Sequence, residues 1–339
     1  MPKAYLGIDI GHDMMKLALV SGGAVKKTVS VSMPVNLFRD GHLTSTEAFG
    51  TLLAETMRAE HIRANRGAVV LSGEACYLRT TAMPKMNEEQ LAINLPYEFS
   101  DYVTGELRDY LFDYAVIPPL PDAKPEEGEE NRMPLLVAAV HKDVMEEWRA
   151  ALRKAGVRLA KAAPAECAYL ALIRDYEERT GRRDQDHCVI DLGSRAIRMY
   201  LFHGPRHMAT RVLDVGLAAL DQIVAEERGV DVHLAHTYLV NNFEKCQEQE
   251  SCKSAYDNIA VELMRALNFY RFSNGAGHMD RVFLGGGGAV IKPLRDVIAS
   301  TLGVEVSAAA ELIPGGSDFG TVEDAAQADY VPAIGVALG

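Results

Sequence analysis

The chain has 339 residues, a formal net charge of −12 and a sequence pI near 5.4, a balance that excludes the broad basic surface of a nucleic-acid-binding protein. Hydrophobic residues make up 48% and charged residues 24% of the chain, which is typical of a globular protein of about two domains. No apolar run is long enough to cross a bilayer. The first strand follows Met1 so closely that no signal peptide is expected. We therefore expect a cytoplasmic protein without direct membrane insertion.

The five cysteines show no C-x-x-C spacing. They are expected to be buried or half-buried free thiols, which suits a reducing compartment. Cys246 and Cys252 lie near His233 and His236 in the sequence, but this spacing matches no common zinc finger. We therefore predict no structural metal site there.

In chain order, the first half begins with a strand–turn–strand hairpin and continues with elements of clear periodicity. These predicted elements are the hairpin over residues 4–21, a strand over 24–33, a helix over 45–61 and a wholly apolar strand over 68–73. An apolar strand of this kind is buried on both faces of a sheet.

The pattern of apolar and polar residues changes at about residue 75, and the order of the segments over 75–160 predicts an inserted β-α-β-β-α-β unit. Its predicted elements are a strand over 76–84, a helix that begins at Asn87, strands over 111–117 and 135–140, a helix from the cap Asp143 to Lys154, and a strand over 157–161. The middle strands bracket the proline-rich acidic segment 118–130, which we predict to be a solvated loop.

A helix around residues 166–178 ends the first half, and a second hairpin with further helices forms the second half. The later predicted elements are helices over 217–228 and 254–272, a strand over 281–284, four glycines, a helix that ends near 302, and an apolar end over 330–339. His203 and His207 are expected in a loop around Gly204-Pro205.

One motif occurs twice. Asp9-Ile10-Gly11 and Asp191-Leu192-Gly193 each join two apolar runs, and a basic residue follows at the same distance, Lys16 in one case and Arg198 in the other. The offset is 182 residues without a gap. Such a repeat predicts two similar halves that face each other across a cleft. Each turn would offer backbone N–H groups to a polyphosphate, and the aspartates would hold Mg²⁺ through water. The alternative is two unrelated hairpins.

The glycines at 285–288 follow a strand and precede a helix. Glycine lets the backbone approach a ligand closely, and a helix N-terminus favours negative charge. This is neither a Walker A loop nor a Rossmann turn, and a tight turn alone explains one or two glycines but not four. Glu262 and Arg265 share one face of the preceding helix. They could flank a nucleoside or form a solvent-exposed ion pair.

Together these motifs resemble the actin/Hsp70/sugar-kinase ATPase superfamily and, within it, the PilM/FtsA family. The segments that carry the resemblance are Gly7-Ile8-Asp9-Ile10-Gly11, Met83-Pro84 with the following helix and Glu98, Val137–Val140 with the helix over 143–154, Arg211 with Gly216, the helix end from Arg265 to Phe272, and Ala333–Leu338. The resemblance implies an α/β, actin-like (ribonuclease H-like) fold. Domain 1 would span 1–185, formed by subdomain 1A (1–80, 160–185 and the end 325–339) and a small inserted subdomain 1C (81–160). Domain 2 would span 186–325.

The resemblance also implies roles for individual residues. The first phosphate loop would contain Asp9, Gly11, His12 and Lys16, and the second Asp191, Gly193 and Ser194. Gly216 would also belong to the nucleotide site, and Glu262 and Arg265 would lie near the adenine. The glycines Gly285, Gly286, Gly287 and Gly288 would contact the nucleoside. Asp9 and Asp191 would hold Mg²⁺ beside ATP, and Glu166 would lie near the metal or the attacking water. The family usually has Ser or Thr where this chain has His12, so we expect at most weak ATPase activity.

Finally, the resemblance implies a role as a scaffold in type IV pilus assembly or a related secretion system, at the inner face of the cell membrane. The expected partner is the N-terminal tail of a PilN-like bitopic membrane protein, with other pilus assembly components. The stretch Tyr97-Phe99-Tyr102 either contributes to this contact or packs its own helix onto the sheet. The alternatives are a small-molecule kinase of the same superfamily and an FtsA-like filament, and self-association stays open.

Overall fold

The computed structural model describes residues 3–34, 36–118, 131–182, 185–274, 279, 281–316 and 326–339. The predicted acidic loop over 118–130 lies outside the described residues except for Pro118. The chain divides into two compact units, of which the first comprises Met1–Ala171, Pro205–His207 and Pro332–Gly339, and the second Leu172–Gly204 and Met208–Val331.

The described chain contains fifteen strands and nine α-helices of defined bounds. The strands are β1 (Ala4–Ile10), β2 (Met14–Ser21), β3 (Ala24–Ser32), β4 (Phe38–Arg39), β5 (His42–Leu43), β6 (Arg66–Leu71), β7 (Cys76–Pro84), β8 (Tyr110–Val116), β9 (Arg132–His141), β10 (Arg158–Pro164), β11 (Asp186–Leu192), β12 (Ile197–His203), β13 (Arg206–Leu213), β14 (Arg281–Gly285) and β15 (Glu305–Ala308). The α-helices are α1 (Thr46–Ala59), α2 (Glu88–Asn94), α3 (Lys142–Lys154), α4 (Ala165–Thr180), α5 (Ala218–Arg228), α6 (Val232–Val240), α7 (Glu250–Asn274), α8 (Lys292–Leu302) and α9 (Val331–Leu338).

Each unit is built on a five-stranded sheet, and the two sheets have the same topology. Their strand orders are β3-β2-β1-β6-β10 and β13-β12-β11-β14-β15. The central strand of each sheet pairs antiparallel with the second strand of its hairpin and parallel with a strand that comes later in the chain. The hairpin registers also agree, because Asp9 is opposite Lys16 and Asp191 is opposite Arg198. The predicted α/β fold with two similar halves is therefore confirmed.

Each sheet has its own apolar core. In the second unit, β11, β12 and β14 pack against α5, α7 and α8, and the buried core includes Ile190, Leu220 and Leu263. In the first unit, α1 and α3 cover one face of the sheet, where Phe49 lies edge-on to Trp148 with ring centroids 5.4 Å apart. All five cysteines are free, four of them buried and Cys167 half-buried, as predicted.

A small three-stranded sheet, ordered β7-β9-β8, forms the inserted part of the first unit. The helix α2 begins with a capping box between Asn87 and Gln90, and with the following 3₁₀ turn (Leu95–Phe99) it covers one face of this sheet. Leu91, Leu95 and Phe99 are buried there. The buried ring of Phe99 therefore packs its own subdomain.

The predicted six-element unit over 75–160 is wrong in its last two elements. β10 pairs with β6 in the first five-stranded sheet, with Arg158 opposite Arg66, and α3 buries Trp148 in the core of that sheet. The apolar face of α3, formed by Val144, Trp148, Ala151 and Leu152, is buried in that core, and this burial fixes the position of the helix. The cap of α3 also differs from the prediction, because the Nδ1 atom of His141 accepts the backbone N–H of Asp143 at 3.2 Å.

Three elements of the second unit, α6, β13 and β15, were not predicted. α6 was missed, and β13 begins directly after the turn at Gly204-Pro205, so that His203 lies in β12 and His207 in β13 rather than in a loop. His203 places Nδ1 2.8 Å from the carboxylate of Asp186, which is directly opposite it in the β11–β12 register. Among the helices of the described residues, none is both long and apolar enough to cross a membrane.

The last helix of the described chain, α9, packs on β1. A Cβ atom at Gly7 would overlap the carbonyl oxygen of Ala333, and one at Gly335 would lie 2.6 Å from the carbonyl oxygen of Ala168 in α4. Val336 and Ala337 join Val20 and Val70 in the apolar cluster at this contact. Small residues thus let β1, α4 and α9 approach closely.

We expect Gly7→Ala to lower the free energy of unfolding by about 2 kcal/mol or more, because the added methyl group forces α9 away from β1. Gly73→Ala is the matched control, since a Cβ atom there meets nothing within 4 Å, and it should change stability by less than about 0.5 kcal/mol. Chemical denaturation of the two variants measures the difference. Equal stability would contradict the close packing of α9.

Candidate nucleotide-binding site

The turn of the second hairpin lies between Leu192 and Ile197 and is held from one side by the loop that precedes α5. The backbone N–H of Leu217 donates to the Gly193 carbonyl at 3.1 Å, and that of Ala218 donates to the Ser194 carbonyl at 2.9 Å. A Cβ atom at Gly216 would overlap the Ser194 carbonyl oxygen. Three predicted site residues, Gly193, Ser194 and Gly216, are therefore in direct contact.

The glycine run packs against the same hairpin. Gly285 ends β14 and is opposite Asp191 in the parallel register. Gly286 has a φ of +77°, and a Cβ atom there would overlap Oδ1 of Asp191 and lie 2.8 Å from the Leu192 nitrogen. A Cβ atom at Gly288 would lie 2.8 Å from side-chain atoms of Leu192 and Leu217. Two of the four glycines are thus required by contacts with the hairpin.

Gly287 differs from its neighbours, because it is exposed and a Cβ atom there would meet nothing within 4 Å. The prediction that the run leads straight into a helix is wrong in detail. Gly287 and Gly288 are themselves part of a 3₁₀ turn (Gly287–Val290), and α8 begins only at Lys292. The backbone of Gly286 packs against Asp191 and Leu192, and that of Gly288 packs against Leu192 and Leu217. These contacts keep this segment in the 3₁₀ turn, so the α-helix begins after it.

The first hairpin brings together the other four predicted phosphate-loop residues. The backbone N–H of Gly11 donates to the Met14 carbonyl at 2.9 Å and closes the turn. The Nζ atom of Lys16 lies 4.0 Å from Oδ2 of Asp9, and both side chains are largely buried. His12 is exposed, with Nε2 3.5 Å from the Asp13 carboxylate. An ammonium, a carboxylate and a backbone turn are thus grouped at one end of β1.

Arg198 was left out of the predicted site residues. It is opposite Asp191 in the register, at the place that Lys16 holds relative to Asp9. The repeat itself contained this signal, because the basic residue recurs at the same offset in both hairpins.

The remaining predicted residues lie on helices. Glu166 is half-buried in the first turn of α4, next to Cys167. Burial raises the pKa of the Cys167 thiol to about 11, and the negative charges of Glu166 and Asp113 act in the same direction. Glu262 and Arg265 form an exposed ion pair on α7. Ile259, Leu263 and Leu267 of the same helix are buried, so the charged pair and the apolar residues lie on different faces of α7.

No group of three or more His, Cys, Asp or Glu side chains among the described residues is arranged to hold a metal ion. An ion that keeps most of its water shell needs no such group, because Mg²⁺ is commonly bound by one or two carboxylates together with substrate phosphates. The assignment of Mg²⁺ to Asp9 and Asp191 therefore stays a prediction.

We expect Gly286→Ala to destabilise the second unit by about 2 kcal/mol or more, since the residue has a left-handed backbone and its methyl group would collide with Asp191. The neighbouring Gly287→Ala is the control and should be close to neutral. Thermal unfolding separates the two variants. If they unfold at the same temperature, the glycine run does not pack on the hairpin as described.

We compared the chain with known protein families and with solved structures. A family model described as type IV pilus assembly protein PilM matches residues 7–338. The chain is similar to the solved PilM–PilN type IV pilus biogenesis complex, with 23% sequence identity, a TM-score of 0.79, and coverage of 98% of this chain and 97% of that chain. It is also similar to ethanolamine utilization protein EutJ from Carboxydothermus hydrogenoformans, with 12% identity, a TM-score of 0.59, and coverage of 100% and 90%. These structural similarities confirm the predicted actin-like ATPase fold. Since the family model spans nearly the whole chain, the chain belongs to the PilM family of type IV pilus assembly proteins.

Proposed function

We propose that this chain is an ATP-binding scaffold that acts in type IV pilus assembly, or in a related secretion system, and docks a PilN-like membrane protein. The observation that carries the proposal is the family match over residues 7–338. Similarity over almost the full length to the PilM–PilN complex supports the partner. No observation favours the small-molecule kinase or the filament. The chain would act at the cytoplasmic face of the inner membrane through its partners.

The second hairpin suits a nucleotide because backbone, carboxylate and glycines meet there. The turn at Gly193 and Ser194 is small enough for its backbone to approach a phosphate, and Gly286 keeps the neighbouring backbone against Asp191. Asp191 would hold Mg²⁺ through water, and the glycines would lie along the nucleoside. The first hairpin has matching groups in Asp9, Gly11 and Lys16, and we assign it to phosphate binding as well.

Bound Mg²⁺ would neutralise phosphate charge, which favours binding. His12 takes the place of the family's hydroxyl residue, and its exposed ring can donate one hydrogen bond to a phosphate oxygen. We assign no general base to the chain and expect ATP turnover to be weak at most. Glu166, Glu262 and Arg265 stay in the proposal as residues near the metal or the nucleoside.

Asp191→Asn should weaken Mg-ATP binding by about tenfold or more, because a lost charge-assisted interaction costs about 1.5–3 kcal/mol. With EDTA present, the same variant should bind ATP no more weakly than the unmodified chain, since repulsion between carboxylate and phosphate is removed. Asp9→Asn should behave in the same way. Isothermal titration calorimetry measures both conditions.

Asp296→Asn is the control for these variants, because Asp296 lies on the exposed face of α8 in an ion pair with Lys292. Unchanged Mg-ATP affinity in both hairpin variants would contradict their assignment. An unmodified chain that shows no Mg-ATP binding would overturn the nucleotide part of the proposal.

The small subdomain offers a surface for the partner. Tyr97 is 66% exposed, Tyr102 53% and Ile93 67%, whereas Phe99 between the two tyrosines is fully buried. The guanidinium of Arg79 lies 4.2 Å from the centre of the Tyr102 ring and also donates to the Glu98 carbonyl. Exposed rings held beside a cation suit the capture of a short peptide with apolar side chains. We therefore keep Tyr97 and Tyr102 as partner contacts.

Combining Tyr97→Ala with Tyr102→Ala should weaken binding of the N-terminal peptide of the PilN-like protein by about tenfold or more, since aromatic anchors commonly contribute over 1 kcal/mol each. Fluorescence anisotropy with a labelled peptide measures this loss. Phe272→Ala removes a ring that is 91% exposed in the other unit and should leave the affinity unchanged. Equal affinities in all variants would exclude the tyrosines, and no binding to the unmodified chain would overturn peptide docking.

A further inference from the structure

Three parallel strands of the first unit bring basic residues together where they begin. Arg66 starts β6 and Arg158 starts β10, and the two are opposite each other in the register. Tyr5 belongs to the same row, because its neighbour Leu6 is opposite Gly67. Alternation along the strands places Tyr5, Arg66 and Arg158 on one face of the sheet.

The side chains of Arg66 and Lys161 lie beside the ring of Tyr5. Nη1 of Arg66 lies 3.5 Å from the Tyr5 hydroxyl oxygen. The guanidinium carbon of Arg66 lies 5.8 Å, and Nζ of Lys161 4.8 Å, from the centre of the ring. Lys3 is exposed two residues before Tyr5. We refer to Lys3, Tyr5, Arg66, Arg158 and Lys161 as the Tyr5 cluster.

The cations of the Tyr5 cluster have no carboxylate partner in the part of the chain that the structure describes. None of them forms an ion pair with any residue that the structure describes, whereas Lys27 and Lys154 of the same unit pair with glutamates. The hydrogen bond from Arg66, and the positive charges of Arg66, Lys161 and Lys3, hold the pKa of Tyr5 below its ordinary value. A region of positive potential thus exists on a chain whose net charge is −12.

A purely structural role does not account for this grouping. One cation over a solvent-accessible ring is a weak interaction, and further cations beside it repel the first. Arg66 and Lys161 at one ring, with Arg158 next in the strand register and Lys3 close in the chain, have no carboxylate partner among the described residues, and this grouping is more easily explained by an anionic ligand. The guanidinium can bind two oxygens of one phosphate, the ammonium supplies a point charge, and the phenol can donate a hydrogen bond.

We propose that the Tyr5 cluster is a binding site for phosphate groups. Two sources supply this chemistry, the headgroups of an anionic phospholipid surface and a soluble phosphate. The site is separate from the proposed nucleotide site, because Tyr5 lies at the start of β1 and Asp9 near its end, about 13 Å away along the strand. It does not rest on the docking of a peptide or on ATP.

The test compares the unmodified full chain with the double variant Arg66→Gln/Lys161→Gln. Each protein is titrated with vesicles of phosphatidylcholine that contain phosphatidylglycerol, with vesicles of phosphatidylcholine alone, and with inorganic phosphate. Each cation near an anionic membrane contributes about 1 kcal/mol, so the double variant should bind the anionic vesicles about 25-fold more weakly. Neither protein should bind phosphatidylcholine alone.

The control Lys85→Gln/Arg153→Gln makes the same change in net charge at two exposed residues of the first unit and should match the unmodified chain within twofold. Circular dichroism melts verify that all variants are folded. Loss of binding to anionic vesicles in the cluster variant alone assigns the site to lipid. Saturable binding of inorganic phosphate that only the cluster variant loses assigns it to a soluble phosphate.

Two results would overturn the proposal: no binding of either phosphate source by the unmodified chain, or equal losses in the cluster and control variants. Binding of Mg-ATP and of the partner peptide should be unchanged in the cluster variant. Failure of those activities in the unmodified chain would therefore be distinguishable from failure of the phosphate site.

Discussion

The backbone of Gly286 lies directly against the carboxylate of Asp191, and no side chain fits between them. This contact ties the glycine run to the second hairpin, while Gly216 ties the loop before α5 to the same turn. Carboxylate, turn and glycines can be grouped only because three backbone segments approach within van der Waals distance. The candidate site of the second unit depends on this close approach.

The first unit has the same sheet topology, but other residues surround its hairpin and its central strand. Its hairpin has Lys16 beside Asp9, and α9, from the end of the chain, packs over β1 at Gly7. The start and the end of the described chain are therefore joined in one unit, with α4 beside them through Ala168 and Gly335. A substitution at Gly7 acts on this packing and not on the charged groups of the turn.

β1 also separates two electrostatic environments. Asp9 and Lys16 lie near its end, where the proposed phosphate loop is formed, and Tyr5 lies at its start among cations. Since a strand holds its residues about 3.3 Å apart, the two groups cannot merge. One sheet can thus offer a nucleotide site and a second, independent anion site at opposite ends.

The sequence by itself determined the two hairpins, their common register and most element bounds, because strand alternation, capping residues and glycine runs are local signals. It also determined the family, through motifs spread over the whole chain. Only the tertiary structure decided that β10 joins the first sheet, that α3 buries Trp148 against α1, and that Phe99 is buried while Tyr97 is exposed. It also decided which glycines are irreplaceable and that Tyr5, Arg66 and Lys161 meet. These outcomes depend on which surfaces compete for burial between segments far apart in the chain, and no local pattern encodes that competition.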